Sequence, residues 1–307
     1  MKHLFIVNPT AGGKDKSITV SRAVRAAFEN RGGEYEVYIT KAPMDAADKI
    51  RAEAAVHEHL RVYACGGDGT FNECVCGAAL LDNVAVAPYP TGTGNDFCRM
   101  FGEEKDLFRD LNALLGGTEH PIDLIDCNGR YSANICSVGI DARIGTEVHQ
   151  YTGLPLIGGT GGYIVSAVVN ILRGINRPMR VQAGDYCQSG EFALLCACNG
   201  RYYGGGFNPS PDARPDDGIL DIYAVSRVSL FTLARYIGKY ASGKADQCPK
   251  YIRHLRAASL HIDFDEESVI NVDGEAIYAK SVEMKLIPGA LRLIVPDGMR
   301  FFSEAAR

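Results

Sequence analysis

The sequence predicts an α/β + β protein, in which a Rossmann-like nucleotide domain is joined to a β-sandwich second domain. Three observations carry that prediction. Over residues 1–121, apolar runs of strand length alternate with helical periodicity, the pattern of a mainly parallel sheet with helices on both faces. From 122 onward the texture changes to short β-rich runs separated by Gly, Pro, Asn and Asp, which suits a sandwich spanning 122–295. The length of 307 residues allows two cores, since single cores rarely grow beyond about 250 to 300 residues.

Taken in order, residues 4–7 read as the first strand and 17–31 as a helix, with Val24 and Phe28 one turn apart and Gly32-Gly33 as its stop. Residues 35–39 form the second strand, and Pro43 opens a second helix running to about His59. The third strand, 60–65, runs into Gly66-Gly67-Asp68-Gly69-Thr70, after which 70–81 carry apolar residues at helical spacing. A fourth strand occupies 84–87. Further strands are expected at 131–138, 179–183, 192–197, 219–225, 259–264, 268–272, 282–286 and 291–295, with helices at 162–173 and 230–240. No internal repeat or low-complexity segment interrupts them.

Composition narrows the function classes. A net charge of −5 and the absence of a Lys/Arg run argue against nucleic-acid binding. Of the ten Cys, Cys65, Cys74, Cys76, Cys136, Cys196 and Cys198 lie in apolar segments and no CxxC occurs, so buried reduced thiols are expected rather than disulfides or zinc. The first residues enter a strand without the apolar core of a secretory leader, and no apolar stretch reaches the about 18 residues of a membrane span. These features lead to the expectation of a cytoplasmic protein.

The turn at 66–70 brings three glycines, one carboxylate and one hydroxyl to the carboxyl end of a strand, where open α/β sheets bind ligands and backbone N–H groups can approach a phosphate chain. Asn8-Pro9-Thr10-Ala11-Gly12-Gly13-Lys14 offers a second glycine turn, without the spacing of a P-loop. Pro90-Thr91-Gly92-Thr93-Gly94-Asn95-Asp96-Phe97 is a third, and it lacks the last glycine of a dinucleotide fingerprint. Arg99 is placed to meet phosphate or to pair with Asp96. Asp123 lies at the expected domain junction, and Asn271-Val272-Asp273-Gly274-Glu275 reads either as a hairpin or as two carboxylates aimed at one point.

Together with Asn199-Gly200-Arg201-Tyr202-Tyr203-Gly204-Gly205-Gly206, these segments resemble, in order, the diacylglycerol kinase catalytic family of soluble bacterial lipid kinases, related to sphingosine and ceramide kinases. The resemblance covers essentially the whole chain. It implies an NAD kinase/diacylglycerol kinase-like ATP-binding domain, a lipid-facing β-sandwich domain, a cleft between them, and a tail, 296–307, that returns to the first domain. Asn8, Thr10, Lys14, Thr40, Gly66, Gly67, Asp68, Gly69, Thr70, Asn72, Thr93 and Asn95 would line the nucleotide. Asp68, Asp96 and Asp123 would hold Mg²⁺ through water. Asp273 or Glu275 would be the general base, with Asp68 the competing candidate. Asp216, Asp217 and the carbonyl of Leu220 would hold a second, structural Mg²⁺, against the alternative of an acidic turn.

The activity implied is ATP-dependent phosphorylation of a lipid hydroxyl, diacylglycerol first, at the inner membrane surface and within phospholipid biosynthesis. Undecaprenol, phosphatidylglycerol, ceramide or a sphingoid base are the alternative acceptors. NAD kinase and a nucleotide-regulated lipid-binding protein without turnover are the other readings. Residues 163–173 read first as a buried core helix, with membrane contact, Arg173 and Arg177 on headgroups, as the alternative. An exposed sheet edge would permit a homodimer.

Overall fold

The computed structural model describes residues 1–11, 15–92, 95–152 and 159–303, with the side chains at 30, 148–152 and 159–164 left aside. The chain divides into one unit of Met1–Leu124 with Pro288–Arg307 and another of Ile125–Ile287. The first unit therefore takes back the chain at 288, earlier than the expected 296.

In the first unit, β1 (Lys2–Val7) leads through α1 (Ser17–Arg31) to β2 (Glu34–Ile39), then through α2 (Asp45–Ala54) to β3 (Leu60–Gly66), and through α3 (Asp68–Ala78) to β4 (Val84–Pro90). The short α4 (Asp96–Arg99) and α5 (Leu111–Gly116) follow, with a 3-10 helix at Gly102–Arg109 between them. The strand order is β4-β3-β1-β2, and every pairing is parallel. β1 and β3 are buried along their whole length, as continuous apolar runs in a parallel sheet should be.

Right-handed crossovers in opposite directions put α1 on one face and α2 and α3 on the other. They also create a topological switch point between β1 and β3, where chains leave adjacent strands in opposite directions. Two helix bounds differ from expectation. The second helix starts at Asp45 rather than Pro43, because Met44 is left-handed (φ 65°) and Asp45 accepts hydrogen bonds from Tyr38 and the Lys41 amide. It stops at Ala54, short of His59.

The elements that follow are β5 (Thr118–Cys127), β6 (Arg130–Ser132), β7 (Ile135–Gly139), α6 (Ile140–Thr152), α7 (Gly159–Leu172), β8 (Arg177–Ala183), β9 (Tyr186–Cys198), β10 (Leu220–Ser226), α8 (Leu230–Ala241), β11 (Ile252–Ala257), β12 (Ser259–Val272) and β13 (Glu275–Val295); they form the second unit, except that β5 through Leu124 and β13 from Pro288 belong to the first. Strands run antiparallel in the order β11-β10-β9-β7-β12-β13, with β8 bridging β9 and β12. Alternation along β9 sends Leu195 and Ala197 into one core and Leu194, Cys196 and Cys198 into another, which α8 covers.

The expected strand at 131–138 is two strands, broken at Ala133 and Asn134. Conversely, the expected pairs at 259–272 and 282–295 are single long strands, β12 bending through a register shift between Asp263 and Ser268. β13 ends in the first unit, where Arg292 and Leu293 pair parallel with β4. The tail described to 303 stays there too: Phe301 and Phe302 pack on Phe101, and the Asp297 amide donates to Ala113. All ten cysteines are free. No helix among the described residues is long and apolar enough to cross a membrane.

Helices α2 and α3 touch at Gly77, where an added Cβ would lie 2.7 Å from the Ala47 Cα. Gly77→Ala is therefore expected to cost about 1–3 kcal/mol of stability, read as a lower urea midpoint. An unchanged midpoint contradicts this packing.

Candidate functional site

The first unit gathers three strand-end loops at its switch point. The amides of Thr91 and Gly92 both donate to the Gly66 carbonyl, each at 3.0 Å, fastening the loop after β4 to the loop after β3. An added Cβ on Gly66 would sit 2.2 Å from the Thr70 hydroxyl, so that position requires glycine, and one on Gly92 would press on the Gly67 backbone at 3.1 Å. Across the switch point, Asn8 Nδ2 donates to Thr70 Oγ1 (3.2 Å), while Asn8 Oδ1 accepts from the amide and hydroxyl of Thr10 (3.0 and 2.8 Å). Thr40 donates its amide to Val7 at the end of β1, and Asn95 donates to the Gly92 carbonyl.

Gly67 caps α3 without a side-chain hydrogen bond. The first-turn amides, including those of Gly69 and Thr70, thus point from an eleven-residue helix toward the loops, a donor array suited to phosphate. Asn72 is fully buried on α3 and accepts from the Cys76 thiol. Lys14 and Thr93 lie outside the described residues. The sequence reading missed Lys16, which donates from its ammonium to the Thr91 carbonyl and ties the loop after β1 to the loop after β4. Its only signal was position, just ahead of the first helix.

The expected magnesium carboxylates take other partners. Asp68 Oδ1 accepts from the amides of Asp96 (2.8 Å) and Phe97 (3.4 Å), capping α4. Asp96 pairs with Arg99 at 3.0 Å, and Asp123 accepts from the Gly289 amide at 2.9 Å. Among the described residues no group of three or more His, Cys, Asp or Glu is placed to hold a metal. One oxygen of Asp68 and one of Asp123 accept amides, an arrangement compatible with water-mediated contact to a cation. At the expected second site, Asp216 pairs with Arg214 (3.0 Å) and Asp217 accepts from the Ile219 amide (3.0 Å), contacts that an acidic turn and a metal loop share.

In the second unit, Asp273 and Gly274 form a two-residue hairpin turn, both at positive φ (52° and 98°), between the paired Val272 and Glu275. The two carboxylates behave differently. Asp273 accepts from the Ser132 hydroxyl (2.5 Å) and from the amides of Ala133 (3.1 Å) and Ile135 (2.9 Å), pinning the break between β6 and β7. Asn199 secures the same break, donating its side-chain amide to the Ala133 carbonyl and its backbone amide to Asn134. Asn134 in turn donates to the Tyr202 carbonyl (2.6 Å). Thus the 199–206 segment and the Asp-Gly-Glu segment meet on one turn. Glu275 is exposed on β13.

Asp141, at the start of α6, is a further residue that the sequence did not flag. Burial pushes its carboxyl up to about 6, partly offset by hydrogen bonds from Tyr203 and Ser137. The Tyr203 hydroxyl reaches Asp141 at 2.9 Å and contacts the Tyr240 hydroxyl at 3.1 Å. A buried, raised carboxyl in a polar network is a frequent mark of a functional site.

Similarity to known proteins runs the length of the chain. A family model of the diacylglycerol kinase catalytic domain matches residues 2–127, and one of the YegS C-terminal NAD kinase beta sandwich-like domain matches 134–295. The probable lipid kinase YegS-like of Pseudomonas aeruginosa PAO1 is 30% identical over 296 residues, covering 96% of both chains. The chain belongs to the diacylglycerol kinase catalytic family of lipid kinases. It is thus a phosphotransferase with an alcohol group as acceptor. The diacylglycerol kinase of Bacillus subtilis is 27% identical over 273 residues, covering 88% of each chain. A crystal structure of a diacylglycerol kinase from Bacillus anthracis superposes with a TM-score of 0.70 at 25% identity, over 97% of this chain and 98% of the other.

Two outcomes check the second-unit geometry. Asp273→Ala strands the Ser132, Ala133 and Ile135 donors and is expected to cost about 2–4 kcal/mol, seen in chemical denaturation; a loss no greater than that of Glu275→Ala contradicts the anchoring role. Asp141 binds its proton more tightly folded than unfolded, so its contribution to stability is present at low pH and is lost as pH rises from about 4 through 6. Asp141→Asn should therefore raise the melting temperature relative to the parent above pH 6 while the gap narrows toward pH 4. A pH-independent gap contradicts a raised carboxyl.

Proposed function

We propose that the protein transfers the γ-phosphate of ATP to a membrane-lipid hydroxyl, with diacylglycerol as acceptor and phosphatidic acid as product. The observation that carries the ATP half is the knot of loops around the Gly66 carbonyl at the switch point of the first unit. There Asn8, Thr10, Gly67, Gly69, Thr70 and Asn95 present amides and hydroxyls to a triphosphate, and Lys16 adds a cation. Mg²⁺ enters as the companion of the ATP phosphates, consistent with its habit of keeping water and taking one or two carboxylates.

The acceptor half rests on the second unit. Glu275 is the general base that takes the hydroxyl proton: it is exposed, whereas Asp273 is committed to its turn and serves as a positioning residue. Work on a membrane lipid at the expense of ATP places the enzyme at the cytoplasmic face, in phospholipid metabolism.

The test supplies γ-labelled ATP with a total bacterial lipid extract, then with single pure lipids and with NAD. Label in phosphatidic acid, at a rate exceeding that with undecaprenol, phosphatidylglycerol or ceramide, is expected. Label in another lipid moves the acceptor; label in NAD, or ATP binding without transfer to any lipid, overturns the reading.

A further inference from the structure

Helix α8 is apolar on two sides. Its inner side, with Leu233, Tyr236 and Tyr240, packs onto the second-unit core. Its outer side leaves Phe231 78% and Leu230 54% exposed, with Ile237 beside them at 36%. Ala234 and Gly238 complete that outer side, and Arg235 supplies its charge. Thr232, Arg235 and Lys239 form a polar stripe beside the exposed apolar side, so Leu230 and Phe231 lie outside the face that the core covers. A shallow, open apolar depression adjoins it, lined by Leu194, Val225, Leu233, Tyr236, Ile237 and Tyr251 among others.

The charge around this helix identifies the cover. From Arg227 to Arg256 the sequence holds seven Lys and Arg against one acid, Asp246, in a chain whose net charge is −5. Arg227 pairs with Glu191 and Arg256 with Asp221. Others rest against aromatic rings: Arg235 and Lys239 on Tyr236, Lys250 on Tyr251, and Arg253 on Tyr186. Exposed Leu and Phe, ringed by Lys, Arg and Tyr, form the combination that seats a helix in a lipid interface.

We propose that α8 docks this protein on an anionic lipid bilayer, with Leu230 and Phe231 in the interface and the surrounding Lys and Arg on the headgroups. A second copy of the chain suits the surface less, because a symmetric contact would press the same basic patch against itself. Helix α7, the alternative membrane contact that the sequence offered, is a poorer seat. Val168 and Leu172 are exposed, but Arg173 is paired with Glu147 at 2.9 Å, and Arg177 donates to the Arg173 and Asn176 carbonyls. The proposal takes from the lipid-kinase reading only the reason for visiting a membrane.

The test is cosedimentation of the full chain with phosphatidylcholine vesicles, with and without phosphatidylglycerol, at low and high salt. Binding is expected to require phosphatidylglycerol and to weaken with salt. Leu230→Ser with Phe231→Ser should weaken it at least about tenfold, as should Arg235→Glu with Lys239→Glu, while Leu172→Asp leaves it unchanged. Arg235→Gln with Lys239→Gln serves if the charge reversal unfolds, and must still weaken binding. Variants that bind like the parent, loss of binding in Leu172→Asp, or a parent dimer that Phe231→Ser dissociates would each overturn the proposal.

Phosphorylation of a short-chain diacylglycerol in neutral detergent micelles separates the two readings. Turnover there without binding to anionic vesicles refutes docking alone. Vesicle binding through α8 without phosphorylation of any lipid refutes the kinase reading alone.

Discussion

The carbonyl of Gly66 accepts two amides, from Thr91 and Gly92, and the nucleotide half of this protein depends on that junction. It closes the loop after β4 onto the loop after β3, so that Asp68 can reach the Asp96 and Phe97 amides and start α4. Thr70 is thereby fixed beside Asn8, which holds Thr10 in turn. Each contact is a modest hydrogen bond worth about 1 kcal/mol net. Their joint effect is geometric: among the described residues, they hold parts of three loops and one helix amino end together, the preorganisation that the proposed nucleotide site requires.

A comparable device organises the second unit, with a carboxylate in place of the carbonyl. Asp273 gathers one hydroxyl and two amides from the break between β6 and β7, and Asn199 and Asn134 secure that break from the other side. The neighbours decide what each acid can do. Asp273 spends its oxygens on structure, Asp68 and Asp123 spend an oxygen on amides, and Asp96 faces Arg99. Glu275 is left at the surface, the position that the proposed proton transfer requires, and Asp141 sits where burial raises its affinity for a proton.

Much of this was legible before any coordinates. The buried strands β1 and β3 read as apolar runs, and the glycine turns fell at strand ends because close backbone approach demands glycine there. Local pattern failed where distant partners decide. The amide partners of Asp68 and Asp123 come from residues far from each in sequence, so local pattern could not foresee them. Helix α6 carries Gly145 and several polar residues and showed no apolar period, while β12 runs through Asp265, Glu266 and Glu267 because a bend carries them to solvent. Lys16 and Asp141 gained significance from neighbours that only the fold supplies.

The central claim is the division of labour between Glu275 and the anchoring carboxylates. Rapid-quench measurement of a single phosphoryl transfer, with ATP affinity and melting temperature recorded for each variant, tests it most directly. The account predicts that Glu275→Gln slows transfer about 10²–10⁴-fold with both other quantities unchanged, whereas Asp273→Asn loses stability along with rate. A Glu275→Gln enzyme that transfers phosphate at the parent rate, beside an Asp273→Asn or Asp68→Asn enzyme that is stable, binds ATP and is inert, would contradict it.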